Sequence, residues 1–182
     1  MNLDIYLESL LNNDVEPKIK MNVTGAVIVR KNEEDMEEVL LIRRSEKDKW
    51  KLIWEYPRGK CDKTPNEKLK NCLFREVKEE TGLDIEIISY IDNYQYIADN
   101  GNRLSTQYNF LCKMKNPNQK VKLSFEHDEF RWVSEMGEIE LLVPYEMKKT
   151  ISKVLNTKTK IVDYEKEFKT ISNNDDEMDI EE

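Results

Sequence analysis

The alternation of apolar and polar positions predicts several short β-strands along the chain. Two early runs, Val23–Arg30 and Glu37–Arg44, are rich in β-branched and aliphatic residues. The polar letters KNEEDME, which overlap the second run by one residue, are typical of a hairpin connection. A further short strand, KLIWEYPRGK, is interrupted by Pro57 and Gly59. Later runs of the same character are DIEIISYI, NYQYIA, TQYNFLCKMK and EFRWVS.

A long internal helix is predicted to begin at the letters TPNE. Thr64 occupies the N-cap position, Pro65 takes the first helical position, and Glu67 completes a capping box with Thr64. Gly82 is expected to end the helix, because glycine readily adopts the left-handed backbone that follows a helix C-terminus.

Helical spacing also predicts a helix near each end of the chain. A leucine stripe marks the first, at Leu3, Leu7, Leu10 and Leu11. The letters VPYEMKKTISKVL predict the last, with Pro144 near its first turn. Together the elements predict an α+β fold with a mixed central sheet, one long internal helix and one C-terminal helix.

The length of 182 residues predicts one domain with extensions, since a domain typically holds about 100–200 residues. The expected parts are a short helical N-terminal extension at residues 1–20, the folded domain at 21–156, a lysine-containing extension at 157–170 and an acidic tail at 171–182. The tail ends in DDEMDIEE, which holds six acids and no base and is typical of a disordered, solvated segment.

The formal net charge of −8 argues against a nucleic-acid partner, but the charge is unevenly distributed. Residues 147–162 contain five lysines and no acid. Three of them, Lys148, Lys149 and Lys153, fall on the predicted C-terminal helix and could follow an RNA backbone. A solvated helix face is the alternative interpretation.

The composition favours a cytoplasmic protein with no membrane partner. No apolar run approaches the roughly 20 residues that span a bilayer, and the N-terminus lacks the pattern of a signal peptide. The three cysteines (Cys61, Cys72 and Cys112) form no metal-type pairing and are expected to be reduced thiols.

Acidic residues lie within the apolar stripe of the internal helix. Residues advance about 100° each around a helix, so Glu80 falls roughly 20° from Leu69, and Glu76 lies about 20° to its other side. Glu79 flanks them. Burying adjacent like charges is costly unless they are protonated or paired with cations. Either these acids are surface charge, or they hold a magnesium or manganese ion, which prefers such oxygen ligands.

The surrounding letters resemble the Nudix box, G-x5-E-x7-R-E-U-x-E-E-x-G-U, where U is aliphatic. REVKEETGL reproduces its second half, Gly59 is the opening glycine, and Glu67 lies seven residues before Arg75. One departure is that seven residues, not five, separate Gly59 from Glu67, so this loop is two residues longer.

The resemblance implies the Nudix α/β/α sandwich and hydrolysis of a nucleoside diphosphate derivative. It implies that the metal ligands are Glu76, Glu79, Glu80 and the Gly59 carbonyl oxygen, with one to three metal ions. Arg75 would orient these carboxylates, with Glu67 as helix cap and partner of Arg75. Arg58 and Lys60, which flank the glycine, are predicted phosphate contacts, or else surface cations beside a turn.

The reaction also needs a general base. Besides Glu76 and Glu79, the predicted catalytic residue is Glu126 in SFEHDEFRWV, with Glu129 as the fallback. His127 is expected to be a bystander, because neighbouring side chains of an extended segment point to opposite faces.

Outside the box, YPRGKCDK, REVKEETGLD and YIDNYQYI resemble the catalytic domain of mRNA-decapping enzymes. This likeness implies capped RNA as the substrate; no activator protein is identified. A methylated guanine is cationic and favours aromatic faces. The aromatic residues available for it are Trp50, Trp54, Tyr56, Tyr94 and Tyr96, each of which could instead be ordinary sheet packing.

Two alternatives remain open. LSFEHDEFRWV followed by EMKK resembles diadenosine tetraphosphate hydrolases equally well, so a dinucleoside polyphosphate or another nucleotide is the second substrate class. A Nudix module that binds RNA or nucleotides without catalysis is the third interpretation. It predicts loss of the acidic triad, whereas all three glutamates are present.

Overall fold

The computed structural model describes residues 19–62, 67–135 and 142–155. Within these ranges the chain forms seven β-strands, two α-helices and a short 3-10 turn at Asp99–Gly101. The strands and helices are β1 (Ile19–Lys31), β2 (Glu37–Arg44), β3 (Trp54–Glu55), β4 (Arg58–Lys60), α1 (Leu69–Thr81), β5 (Ile85–Ala98), β6 (Arg103–Met114), β7 (His127–Val133) and α2 (Tyr145–Leu155).

Strand β1 lies at the centre of a mixed sheet. It runs antiparallel to β2 and β4 and parallel to β6, from Ile19 opposite Arg103 to Val29 opposite Lys113. β3 and β7 pair with β2, and β5 pairs with β6. The hairpin predicted between β1 and β2 is confirmed.

Successive residues of the central strands alternate between two apolar cores. Ala26 and Ile28 pack on one face with α1, whereas Val27 packs on the other face with α2. Helix α1 contributes Leu69, Leu73 and Val77 to its core, and α2 contributes Met147, Ile151 and Val154. The expected α/β/α sandwich is therefore confirmed, and α1 and α2 lie on opposite faces of the sheet.

Helix α1 begins later than the sequence predicted. Its N-cap is Lys68, in an extended conformation and without a side-chain capping bond, so the capping box proposed for Glu67 is wrong. Glu67 lies before the helix, and its carboxylate pairs with Arg75. Thr64 and Pro65 lie outside the described residues. The predicted end is confirmed, since Gly82 has φ 70°.

Two further strand predictions need correction. DIEIISYI and NYQYIA form one strand, β5, whose pairing with β6 is irregular between Ile87 and Ser89 and between Tyr90 and Asp92. KLIWEYPRGK forms two strands that pair with different partners, β3 with β2 and β4 with β1. Pro57 separates them, and its carbonyl oxygen accepts the Ala26 N–H at 2.8 Å.

The predicted extensions fall almost wholly outside the described residues. Residues 19 and 20 of the expected N-terminal helix already belong to β1. Residues 157–170 and 171–182 are not described, so those domain assignments stay predictions. Neither α-helix in the described part of the chain is long and apolar enough to cross a membrane.

The expectation of three reduced thiols is wrong. Cys61, just after β4, forms a disulfide with Cys72 in α1. Cys112 is free and fully buried in the α1-side core. Nothing in the spacing of Cys61 and Cys72 indicates a pair, because their proximity depends on how α1 packs against β4.

Candidate active site

The acidic face of α1 packs against the backbone of β4. A Cβ atom at position 59 would overlap the Glu76 carboxyl group, so only glycine permits this close approach. The Gly59 carbonyl oxygen also faces α1, 3.9 Å from Cys72 Sγ. Burial raises the pKa of Glu76, and the adjacent guanidinium of Arg75 opposes that rise. Gly59 and Glu76 are therefore brought together as the sequence predicted.

Glu80 is the most deeply buried acid of the helix, with 6% of its surface exposed. Its Oε2 accepts the backbone N–H of Arg58 at 2.9 Å, and its Oε1 lies 4.0 Å from His127 Nε2. Burial, followed by the nearby charge of Glu55, raises the pKa of Glu80 well above its usual range. An ionised Glu80 therefore requires additional positive charge beside it.

Arg75 links the glutamates of the motif. Its Nε and Nη2 donate to the two carboxylate oxygens of Glu67, each at 2.8 Å. Its Nη1 donates to Glu76 at 2.6 Å and to Glu79 at 3.3 Å, while Nη2 also reaches the Lys60 carbonyl oxygen at 2.9 Å. The side chain of Glu79 is 46% exposed, so it is the member of the set that faces solvent.

Glu55 is a buried centre of charge that the sequence analysis missed. Its Oε2 accepts from Arg58 Nε at 2.7 Å, and its Oε1 lies 2.6 Å from Arg44 Nε and 3.6 Å from His127 Nε2. Burial alone would raise the pKa of Glu55, but Arg58, the His127 contact and Arg44 together lower it to about 2. One signal was available: Trp54 and Tyr56 share a face of the extended segment, so Glu55 must face the other side.

His127 lies beside the buried acids of the site, and its interpretation as a bystander stays a prediction. The residue is 4% exposed, and its imidazole lies between Glu55 and Glu80. Neighbouring side chains do point to opposite faces, as expected, but His127 takes the inward one. Glu126 is 46% exposed, and its Oε2 lies 3.5 Å from Arg44 Nη1. Glu129, the fallback base, pairs with Arg43 and Arg131, each at 2.8 Å.

Two residues predicted to face substrate are occupied by contacts within the protein. Arg58 bonds Tyr96 and Gln107 through Nη1 at 3.2 Å each, in addition to Glu55. Tyr56 has no exposed surface, and its hydroxyl donates to Asn109 at 2.8 Å. A base-stacking role for Tyr56 is therefore a wrong prediction, because the packed sheet covers the ring.

The remaining predicted substrate residues keep some exposed surface. Trp54 is partly exposed, with the guanidinium carbons of Arg131 and Arg43 at 5.0 and 5.7 Å from its ring centroid. Tyr94 is partly exposed and its ring lies 6.1 Å from that of Tyr96. Lys60 is exposed at the end of β4.

The lysines of α2 are largely paired. Lys149 donates to Glu146 at 3.2 Å and lies 4.6 Å from the Tyr145 ring centroid. Lys153 donates to Asp92 at 2.6 Å. Lys148 is half-buried on the same helix. Two of the three cations are thus partly neutralised by acids of the same chain.

The acids of the site match a divalent cation in their chemistry but are held by contacts within the protein. Among the residues described, no three His, Cys, Asp or Glu side chains are grouped as a metal cluster. Arg75 contacts both Glu76 and Glu79, and Glu80 is turned to the Arg58 amide. The chemistry of the donors fits, because carboxylate oxygens on one helix face suit a hard cation. The raised pKa of buried Glu80 marks the need for positive charge.

Comparison with known proteins gives consistent matches. The family model described as "NUDIX domain" matches residues 21–153. The m7GpppN-mRNA hydrolase of Saccharomyces cerevisiae is 36% identical over 97 residues, which is 53% of this chain and 9% of the yeast protein. The asymmetrical bis(5'-nucleosyl)-tetraphosphatase of Mus musculus is 29% identical over 102 residues, covering 54% of this chain and 67% of that protein. The matched segment thus spans only a small part of the yeast relative.

The fold has close counterparts among solved structures. The MutT NUDIX hydrolase of Burkholderia pseudomallei superposes with a TM-score of 0.58 at 19% identity, over 74% of this chain and 98% of that one. At this identity the likeness concerns the fold alone.

Proposed function

Since this chain belongs to the NUDIX family of hydrolases, which act on nucleoside diphosphate derivatives, we propose that its substrate is the 5′ cap of messenger RNA. The products would be 7-methylguanosine diphosphate and RNA with a 5′ monophosphate. The observation that carries this proposal is the 36% identity to the yeast m7GpppN-mRNA hydrolase, which extends over 97 residues.

Glu76, Glu79, Glu80 and the Gly59 carbonyl oxygen are the proposed ligands of a magnesium or manganese ion. When bound, such an ion would neutralise charge on the diphosphate and acidify the attacking water. Arg75 is the proposed orienting residue, because it contacts Glu76 and Glu79 and is itself fixed by Glu67. Its five donors are committed largely to protein acceptors, which leaves it little capacity to contact substrate.

The proposed reaction is attack of a water oxygen on a phosphorus atom of the cap. A new phosphorus–oxygen bond forms, the anhydride bond breaks, and the leaving phosphate takes the electron pair. The proton of the water passes to a carboxylate, for which Glu126 is the proposed general base. Glu129 is a poorer acceptor because two arginines hold it, whereas Glu126 is half-exposed and has one cation 3.5 Å away.

A second substrate class is favoured by a separate observation. The mouse bis(5'-nucleosyl)-tetraphosphatase matches along 67% of its own length. The same acids could cleave a dinucleoside tetraphosphate, which contains the same kind of phosphoanhydride bond. The two candidates differ in what must lie beyond the scissile phosphates: a polynucleotide in one case and a single nucleoside in the other.

Product analysis distinguishes the candidates. The protein is incubated with magnesium or manganese and, separately, with capped RNA of about 30 nucleotides, free cap dinucleotide and diadenosine tetraphosphate. Release of 7-methylguanosine diphosphate from the long RNA at a higher kcat/KM than from either dinucleotide supports decapping. Preference for diadenosine tetraphosphate would favour the second candidate.

Two variants test the residue assignments. Glu79→Gln should lower kcat by at least about a hundredfold while the unfolding curve is unchanged, since Glu79 is exposed and its loss leaves no cavity. Glu38→Gln, which alters an acid of β2 paired with Arg30, is the matched control and should leave kcat unchanged. Full activity of Glu79→Gln would refute the proposed metal site.

A further inference from the structure

Two aromatic side chains on turns that adjoin Glu126 are exposed to solvent. Phe125 is 91% exposed and Trp50 is 59% exposed. Neither ring has a part in the proposed hydrolysis, and neither belongs to either apolar core. Both rings are therefore open to contact by a ligand.

Phe125 is held at the edge of the site by backbone hydrogen bonds. The Ser124 N–H donates to the Glu80 carbonyl oxygen at 3.0 Å, and the His127 N–H donates to the Ser124 carbonyl oxygen at 3.2 Å. Phe125 and Glu126 therefore occupy the two central positions of a tight turn at residues 124–127, which is hydrogen-bonded to the C-terminal end of α1. The turn therefore adjoins the part of α1 that carries Glu80, a proposed metal ligand.

Trp50 lies on a neighbouring turn, residues 45–53, which is equally well fixed. The Trp50 N–H donates to Asp48 at 2.7 Å, and Asp48 in turn pairs with Arg44 at 3.0 Å. Leu52 has φ 63°, a left-handed conformation that a leucine adopts only at a cost. The turn thus presents the indole outward through defined contacts rather than by local disorder.

A backbone hydrogen bond joins the two turns. The Ser45 N–H donates to the Glu126 carbonyl oxygen at 2.9 Å. Ser45 opens the turn that carries Trp50, and Glu126 directly follows Phe125. The two aromatic residues therefore lie on turns that contact each other, called here the aromatic rim and defined as residues 45–53 together with residues 124–127.

The aromatic rim holds three lysines and three acids, and two of the acids, Asp48 and Glu126, face Arg44 at 3.0 and 3.5 Å. Exposed lysines alternate with the tryptophan and its neighbours, at Lys47, Lys49 and Lys51. Lys49 Nζ lies 5.4 Å from the Trp50 ring centroid. Aromatic faces interleaved with lysines are the chemistry of single-stranded nucleic-acid binding, in which bases stack and lysines contact phosphates.

We propose that Trp50 and Phe125 are stacking platforms for unpaired bases of a single-stranded RNA that enters the active site across the aromatic rim. The inference rests on the proposed function, since it places the transcribed nucleotides of a capped RNA beside the hydrolytic acids. It predicts binding to single strands of varied sequence, because every base offers a face for stacking.

The test measures binding apart from hydrolysis. The probe is a fluorescein-labelled 12-nucleotide RNA with a 5′ hydroxyl, which has no anhydride to cleave, and the readout is anisotropy of the full chain. Trp50→Ala and Phe125→Ala should each raise Kd about five- to 150-fold. Phe125→Trp should restore most of the affinity, because it restores a ring.

Met36→Ala is the matched control. Met36 is a 42% exposed apolar residue at the far end of β2 from Ser45. The eight residues of β2 separate the two positions, which is about 26 Å of extended chain. This substitution should leave Kd unchanged.

The outcomes separate this inference from the proposed function. Unchanged single-strand affinity in Trp50→Ala and Phe125→Ala, no binding by the wild-type protein, or an equal loss for a matched RNA duplex would each overturn the stacking role. If the two alanine variants lose single-strand binding and the wild-type protein does not cleave capped RNA, the role of the aromatic rim is supported and decapping is refuted. Retained hydrolysis of a free dinucleotide by both variants would support a role confined to the RNA chain.

Discussion

Replacing the buried carboxylate at position 55 is the most informative single perturbation of the site. Glu55 is 1% exposed and lies between Arg44 and Arg58, whose guanidinium nitrogens approach it to 2.6 and 2.7 Å. Glu55→Gln keeps the shape of the side chain but removes its charge. Two arginines would then be held near the interior without the anion that balances them.

The expected loss of stability can be worked from the pKa of this group. Folding lowers the pKa of Glu55 from 4.5 to about 2 despite the opposing effect of burial. A shift of one pKa unit corresponds to about 1.4 kcal/mol, so the ionised carboxylate contributes about 3 kcal/mol to the free energy of unfolding. Removing one partner of a buried pair commonly costs about 3–5 kcal/mol, which agrees with this figure.

The pH dependence has a definite sign. Because the folded pKa is depressed, the contribution of Glu55 is fully present above pH 4.5 and is lost as pH falls towards about 2. Urea denaturation at pH 7 should therefore show Glu55→Gln less stable by about 3 kcal/mol, and the gap between variant and wild type should close between these two pH values.

Glu38→Gln serves as the control for this measurement. It breaks an ion pair with Arg30 at 2.7 Å, in which the arginine side chain is 41% exposed. Such a pair should be worth less than about 1 kcal/mol. The reasoning is refuted if Glu55→Gln loses no more stability than this control at pH 7, or if its deficit persists unchanged at pH 2.

Three further predictions concern the neighbourhood of the site. Gly59→Ala should displace the adjacent glutamate carboxylate, lowering both kcat and, by about 1–3 kcal/mol, the free energy of unfolding; wild-type kinetics in this variant would contradict the close packing. Cys61→Ser should cost about 3 kcal/mol, because the disulfide closes a loop with a sequence separation of 11. Dithiothreitol should lower the urea midpoint of the wild type to that of the serine variant, and a midpoint insensitive to reductant would show that the bond does not form. Replacing Lys148, Lys149 and Lys153 by glutamine should reduce the slope of log affinity against log salt for single-stranded RNA by up to about 2; an unchanged slope would return them to ordinary surface charge.

The regular parts of the fold were predictable because their signal is local. Strand alternation located β1 and β2, and helical spacing placed Leu69, Leu73 and Val77 against the core with Glu80 among them. Each of these inferences needs only the repeat of one element, which the sequence displays directly.

The charge network was not predictable in the same way. Glu55 is an isolated acid in a two-residue strand, and its arginine partners come from β2 and β4. The burial of His127 depends on how β7 pairs with β2, where the register shifts between Arg43 and Arg44. The position of a side chain in such a network is decided by several elements at once, and no single stretch of sequence carries it.

The parallel pairing of the two central strands has a consequence for how the molecule comes to be folded. Val23 lies opposite Gln107, so neighbours in the middle of the sheet come from opposite halves of the polypeptide. Closing so long a loop costs chain entropy before any contact repays it, and proteins rich in such distant pairings fold slowly. During synthesis on a ribosome, the edge of β1 that pairs with β6 therefore stays unpaired until β6 has emerged. Until then the free amides and carbonyls of that edge are open to association with other chains.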